Sequence, residues 1–108
     1  VQDFADFCAR NRPAYHAGYY AMYSSWWNAI TTDPNLMVVP VDDHMVHRGD
    51  GLFETFKCVD GAIYNLDAHL ARLENGCRAI GLHLRWSRAE ITRLTGEVLR
   101  VEKEEGAA

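Results

Sequence analysis

Apolar residues recur at helical spacing at the start of the chain. Phe4, Phe7 and Cys8 stand at i, i+3 and i+4, which predicts a short amphipathic helix over 2–10 that Pro13 ends. From Gly18 to Trp26 the chain turns aromatic and small, the composition of a strand. Asn28-Ala29 is then expected as a hairpin turn leading back into Ile30-Thr31-Thr32. Asp33-Pro34-Asn35 marks a further turn, and Met37 to Val41 reads as another strand.

The second half carries sharper signals. Phe53 to Val59 alternates as a strand does, and Asp60-Gly61 is the dipeptide of a type I′ turn, where both central residues need positive φ. Ala62-Ile63-Tyr64 is the expected return strand. Asp67 is placed to cap a helix whose apolar stripe is Leu70, Leu73, Cys77 and Ile80, with Gly81 at its left-handed end. Ser87-x-x-Glu90 is a capping box for a last helix buried along Ile91, Leu94, Val98 and Val101. Helix, hairpins, then two helices make an α+β fold, not an alternating β-α-β pattern. No internal repeat or low-complexity segment interrupts it.

Composition bounds this picture without changing it. The 108 residues suffice for one domain, and 48% hydrophobic against 24% charged is ordinary for a globular chain. The longest strongly apolar run, Leu36 to Val41, is broken by Pro40 and too short for a bilayer, so no membrane span is expected. The opening Val-Gln-Asp-Phe-Ala-Asp puts acids where a secretory signal carries positive charge. A net charge of −4 disfavours nucleic acid as a partner, since phosphates call for basic excess. Cys8, Cys58 and Cys77 are odd in number and show no Cys-x-x-Cys spacing, which reads as reduced thiols in a cytoplasmic protein.

Three groups of residues invite chemistry. Gly49-Asp50-Gly51 lets tight backbone aim flanking side chains into one concavity. In the strand that follows, Phe53, Thr55 and Lys57 share one face and Leu52, Glu54 and Phe56 the other. The first face, an aromatic, a hydroxyl and a cation, suits a small polar ligand; its plainer reading is an exposed edge. On the Asp67 helix, Arg72 lies three residues after His69, at the margin of the apolar stripe. Such an Arg either reaches a phosphate with its planar fork or pairs on the surface with a Glu or with solvent. His44-x-x-His47 with Asp42 and Asp43 lacks supporting ligands, so no metal site is assigned. Trp26-Trp27 and the tyrosines read as core or interface.

These motifs together carry a resemblance. His47-Arg48-Gly49-Asp50-Gly51-Leu52-Phe53-Glu54-Thr55, then Asp60-Gly61, then Leu66-Asp67-Ala68-His69-Leu70-Ala71-Arg72-Leu73 resembles the fold-type IV (class IV) pyridoxal-phosphate aminotransferases. That family's small N-terminal domain reads G-D-G-x-F-E-T, D-G and L-x-x-H-x-x-R-L in this order. Ala21-Met22-Tyr23-Ser24-Ser25 and Pro40 to Gly49 look most like the D-amino-acid-aminotransferase branch, and the likeness covers about residues 19–103.

The resemblance implies antiparallel strands and hairpins packed with two helices, with 1–17 an N-terminal helical arm and 18–108 the small domain. It implies pyridoxal 5′-phosphate as cofactor, with Arg72 on its phosphate, and Arg48, Phe53, Thr55 and Lys57 on the substrate side. A homodimer is implied too, because the small domain borders the neighbouring subunit's site. The expected reaction moves an amino group between an amino acid, branched-chain or D, and a 2-oxo acid. The lysine that forms the Schiff base matches neither Lys57 nor Lys103; in this family it sits in a C-terminal domain absent from this chain. No catalytic residue is therefore assigned here, and the chain alone is expected to be inactive. The rival readings are an aminodeoxychorismate lyase-like enzyme and a non-catalytic binding or dimerisation module.

Overall fold

The structure, a computed structural model, describes residues 2–106, with side chains described as far as residue 101. It contains α1 (Gln2–Asn11), β1 (Met22–Ser24), β2 (Ala29–Thr31), α2 (His44–Arg48), β3 (Cys58–Val59), β4 (Ala62–Ile63), α3 (Leu66–Ile80) and α4 (Arg88–Gly106). The fold class is α+β, with two separate two-stranded antiparallel sheets. The chain divides into two compact units, one of residues up to Val39 with those from Leu94 on, the other Pro40–Arg93.

In the first unit, α1 forms as its apolar spacing predicts and stops two residues before Pro13. Its apolar face is not covered: Phe4 and Phe7 remain exposed. The expected Gly18–Trp26 strand shrinks to β1, because Ala14–Gly18 winds into a 3-10 turn and Trp26 falls in the loop. The hairpin pairs Ser24 with Ala29 and Met22 with Thr31, so its loop is Ser25–Asn28 and not an Asn28-Ala29 dipeptide. Asn28 supplies the left-handed residue (φ 51°) just before β2, a conformation asparagine tolerates. Ser24, buried, accepts the Trp26 N–H on its hydroxyl at 3.1 Å and so tightens the loop. Trp26 and Trp27 are 58% and 46% exposed, which removes core from the two readings, core or interface, expected for them.

Asp33 caps the turn at Pro34–Leu36 by accepting the Asn35 N–H at 3.0 Å. No strand follows over Met37–Val41. Met37 N–H closes back on Pro34, Pro40 has no N–H to offer a ladder, and Val38, Val39 and Val41 stay exposed.

The second unit holds the better-formed elements. Asp43 caps α2 by accepting the Met45 N–H at 2.9 Å, and Gly49 closes it in the left-handed region (φ 75°). Residues 51–57 belong to no ladder, and their exposure alternates as along an extended backbone. The hairpin turn is as the dipeptide requires: Asp60 and Gly61 have φ 52° and 79°, and Tyr64 N–H donates to Lys57 O at 2.8 Å beyond the ladder. Asn65, not Asp67, stands at the N-cap of α3, in the left-handed region; Asp67 sits inside the first turn, where its charge favours the helix dipole. The other end closes as expected, with Gly81 at φ 74° and Leu82 N–H donating to Cys77 O at 2.8 Å. The capping box of α4 is formed: Ser87 N–H donates to Glu90 Oε1 and Glu90 N–H to Ser87 Oγ, both at 3.1 Å. The Ser87 backbone N–H, and after it the Ser87 hydroxyl, hold the Glu90 carboxyl below its ordinary pKa. Arg88 and Glu74 join the start of α4 to α3 at 2.5 Å.

Among the described residues the buried apolar side chains are Leu70 and Cys77, both on α3. Two glycines let the extended segment approach its neighbours. A Cβ on Gly76 of α3 would stand 3.1 Å from Leu52 Cδ1, so the absent side chain is what seats Leu52 on the helix. A Cβ on Gly51 would meet Met45 Cγ at 2.6 Å and Met45 Cβ at 2.9 Å. Among the described residues no helix is long and apolar enough to cross a membrane.

Gly51→Ala is expected to destabilise by about 1–3 kcal/mol through this overlap. Gly18→Ala, where a Cβ meets nothing within 4 Å, should stay within about 0.5 kcal/mol. Urea unfolding of both variants checks the pair, and equal midpoints would refute the close-approach account. Ser87→Ala should remove the cap of α4 and cost about 0.5–2 kcal/mol by the same measurement.

Candidate anion-binding site on the third helix

The alternation expected for residues 52–57 is present in their exposure. Leu52, Glu54 and Phe56 are half-buried, while Phe53, Thr55 and Lys57 are exposed, Phe53 at 85%. An extended backbone turns alternate side chains to opposite sides, and the Leu52 contact with Gly76 sets which side faces α3. Glu54 is thereby carried inward between two apolar neighbours. An acid there needs partners, because burying an unpaired charge is costly.

The facing helix supplies them. His69 and Arg72, three residues apart, share one side of α3. Arg72 Nε donates to Glu54 Oε1 at 2.6 Å and Arg72 Nη2 donates to Glu54 Oε2 at 3.0 Å. His69 Nδ1 lies 2.8 Å from the same Oε2. The ionised carboxylate only accepts, so the imidazole proton belongs on Nδ1. Phe56 packs edge-on against the His69 ring at 5.1 Å and fixes its plane. First the Arg72 fork and then His69 hold the Glu54 carboxyl down from 4.5 to about 2, against the opposing effect of burial. The carboxylate in turn raises the Arg72 pKa.

Exposure grades steeply across the three. The Glu54 side chain is 9% exposed, His69 22% and Arg72 72%. Arg72 thus anchors one edge of its guanidinium on an inner carboxylate and turns the rest outward. A guanidinium has five N–H donors, and Glu54 takes two of them. Three are left, and two of them, one on Nη1 and one on Nη2, form the end of the fork, a parallel pair suited to a phosphate or carboxylate.

The other expected site residues lie elsewhere in this unit. Arg48 ends α2 and is exposed, and Phe53, Thr55 and Lys57 line the outward face of the extended segment. A concavity is lined by His44, Gly49, Asp50, Gly51, Ile80, Gly81 and Leu82, and includes none of them. The structure therefore brings Arg72 together with Glu54 and His69, and does not gather Arg48, Phe53, Thr55 and Lys57 around that concavity. Glu54 is the residue that sequence reasoning missed. The signal was available: an acid on the inward face of an alternating segment, ahead of a helix bearing His-x-x-Arg. Among the described residues no group of three or more His, Cys, Asp or Glu is placed to hold a metal, and Lys103 has its side chain outside the described residues.

Comparison with known proteins matches this region. Similar chains include the chloroplastic D-amino-acid transaminase of Arabidopsis thaliana, 43% identical over 83 residues, 77% of this chain and 22% of that protein. The D-alanine aminotransferase of Bacillus licheniformis is 31% identical over 65 residues, 60% of this chain and 23% of the relative. A putative branched-chain-amino-acid aminotransferase of Methanocaldococcus jannaschii is 32% identical over 63 residues, 58% and 22% of the two chains. The matched part of this chain thus spans between a fifth and a quarter of the length of these relatives. No solved structure matches significantly. The family profile described as amino-transferase class IV matches residues 51–107, which takes in the extended segment, the Asp60-Gly61 hairpin, α3 with its three-residue cluster, and α4. With more than half of its residues under that profile, the chain belongs to the class IV aminotransferases.

Proposed function

We propose that the chain is the N-terminal part of a pyridoxal-phosphate-dependent aminotransferase, one that moves an amino group between a D- or branched-chain amino acid and a 2-oxo acid. The observation that carries this reading is the held guanidinium of Arg72, with three N–H donors left for an oxyanion. It lies within the segment matched by the family profile. The names of the relatives support the amino-acid classes.

The donor set fits the phosphate of pyridoxal 5′-phosphate: a monoester dianion presents several acceptor oxygens to a planar fork. Bound, the cofactor supplies an electron sink for the pair released when an amino acid loses its α-proton. The work assigned to this chain is binding and orientation. Arg72 would hold the phosphate. Arg48 would pair with a substrate carboxylate, and Phe53, Thr55 and Lys57 would line the substrate side with an apolar ring, a hydroxyl and a cation.

Lys57 and Lys103 are not assigned the catalytic role. On this reading the catalytic lysine lies in polypeptide beyond these 108 residues, which accords with the short span matched in the relatives. By itself the chain would then be inactive. Residues 1–17 are taken as an N-terminal arm and 18–108 as the small domain. A homodimer and that further domain would cover the large apolar side chains left exposed, such as Phe53, Val41 and Tyr64. Cys8, Cys58 and Cys77 are all free, which accords with a reducing compartment, taken as the cytoplasm.

The test uses the full-length protein loaded with pyridoxal 5′-phosphate. A panel of D-amino acids and branched-chain L-amino acids is supplied with 2-oxoglutarate. The expected result is a 2-oxo acid from the donor and glutamate from the acceptor in equal amounts by chromatography. No glutamate from any donor would overturn the aminotransferase reading.

A further inference from the structure

We propose that Glu54 is a positioning residue for the cofactor phosphate: it fixes the guanidinium plane of Arg72 so that the outer edge is presented ready-formed, with His69 steadying Glu54 in turn. This rests on the reading that Arg72 holds the phosphate, and adds a role for two residues to which that reading gives none.

The geometry gives the reason. Arg72 is mostly exposed, and an exposed arginine on a four-bond stem samples many rotamers when nothing holds it. A ligand meeting such a side chain has to order it, and that ordering subtracts from affinity. Here the Nε and one Nη2 donor are already tied to the two oxygens of one carboxylate at 2.6 and 3.0 Å, which sets both the position and the plane of the guanidinium. Glu54 can act as an anchor because it is itself constrained. Its side chain is 9% exposed, its own segment is seated through Leu52 on Gly76, and His69 Nδ1 holds Oε2 at 2.8 Å. The order of constraint runs from inside outward: Phe56 on His69, His69 on Glu54, Glu54 on Arg72.

The opposing argument is electrostatic. A carboxylate beside Arg72 offsets part of its positive charge and so weakens its pull on a dianion. Two features favour positioning. Glu54 uses a different edge of the fork from the one left for the phosphate, so the two anions do not compete for the same N–H groups. The carboxylate also meets both Arg72 and His69, so its charge is shared between two donors. The two arguments predict opposite signs when Glu54 is replaced, which makes the matter one of measurement.

The experiment measures dissociation constants of pyridoxal 5′-phosphate and of pyridoxal for the full-length apoprotein by fluorescence quenching. The ratio of the pyridoxal constant to the pyridoxal 5′-phosphate constant isolates the part of affinity owed to the phosphate. Glu54→Gln keeps the size of the side chain but replaces one acceptor oxygen with a donor. It should lower that ratio by about tenfold, a coupling typical of residues in one network. Pyridoxal itself should bind within about twofold of the parent. Arg72→Ala should lower the ratio at least as far, and the double variant no further than Arg72→Ala alone. An unchanged or raised ratio in Glu54→Gln, with Arg72→Ala still losing it, overturns the positioning role and leaves the phosphate reading standing. Equal weakening of both ligands in Glu54→Gln makes Glu54 merely structural and also overturns it. An unchanged ratio in Arg72→Ala removes the phosphate reading itself. Should Glu54→Gln fail to fold, Glu54→Asp, which keeps the charge on a shorter stem that cannot reach the fork in the same place, is judged by the same ratio and the same outcomes.

Discussion

A single carboxylate ties the second unit of this chain together. Glu54 is set inward by the alternation of an extended backbone, and its charge obliges the neighbouring helix to answer with donors. His69 and Arg72 do so from one side of α3, at sequence separations of 15 and 18. Residues 51–57 lack ladder partners until β3, so this cluster and the Leu52 contact with Gly76 are what fasten them to the helix. The phosphate role proposed for Arg72 follows from where that fastening leaves its guanidinium.

The features legible in the sequence are the ones whose causes are local. The Asp60-Gly61 turn, the Gly81 helix end and the Ser87/Glu90 box each depend on residues within a few positions, and each forms as read. The apolar spacing of Phe4, Phe7 and Cys8 likewise gives α1. Within the candidate site, the two faces of the 52–57 segment and the place of Arg72 at the edge of the stripe were also readable. The pairing of Arg72 with a Glu stood as one of two alternatives, and the structure shows that one edge of the fork serves that pairing while another stays open.

What was not legible depends on partners distant in sequence. Met37–Val41 and the first part of Phe53–Val59 have strand composition, but a strand exists only where another lies beside it. β-branched residues suit a pleated surface without saying whose it is. The partners of the inward Glu54 are illegible for the same reason: alternation tells which face it shares and not what waits opposite. The Asp67 cap failed differently. A left-handed Asn65 starts α3 two residues earlier, and a shift of that size lies within what pattern alone leaves open.

The chemistry chosen for the Glu54 cluster is itself informative. A leucine at 54 facing an apolar residue on α3 would fasten the segment to the helix without taking a charge out of water, and such replacements of inner ion pairs are commonly neutral or stabilising. Stability alone therefore gives little reason for a carboxylate here. Orientation does. An apolar contact fixes distance and leaves the rotation of a neighbouring arginine free, whereas two parallel N–H···O bonds fix its plane. The cluster holds the polar end of Arg72 in a set attitude and leaves the Nη1–Nη2 end of the fork outside that pairing, an arrangement suited to meeting two acceptor oxygens of a ligand. That difference between fastening and orienting is what makes an otherwise costly inner acid consistent with the binding role proposed for Arg72.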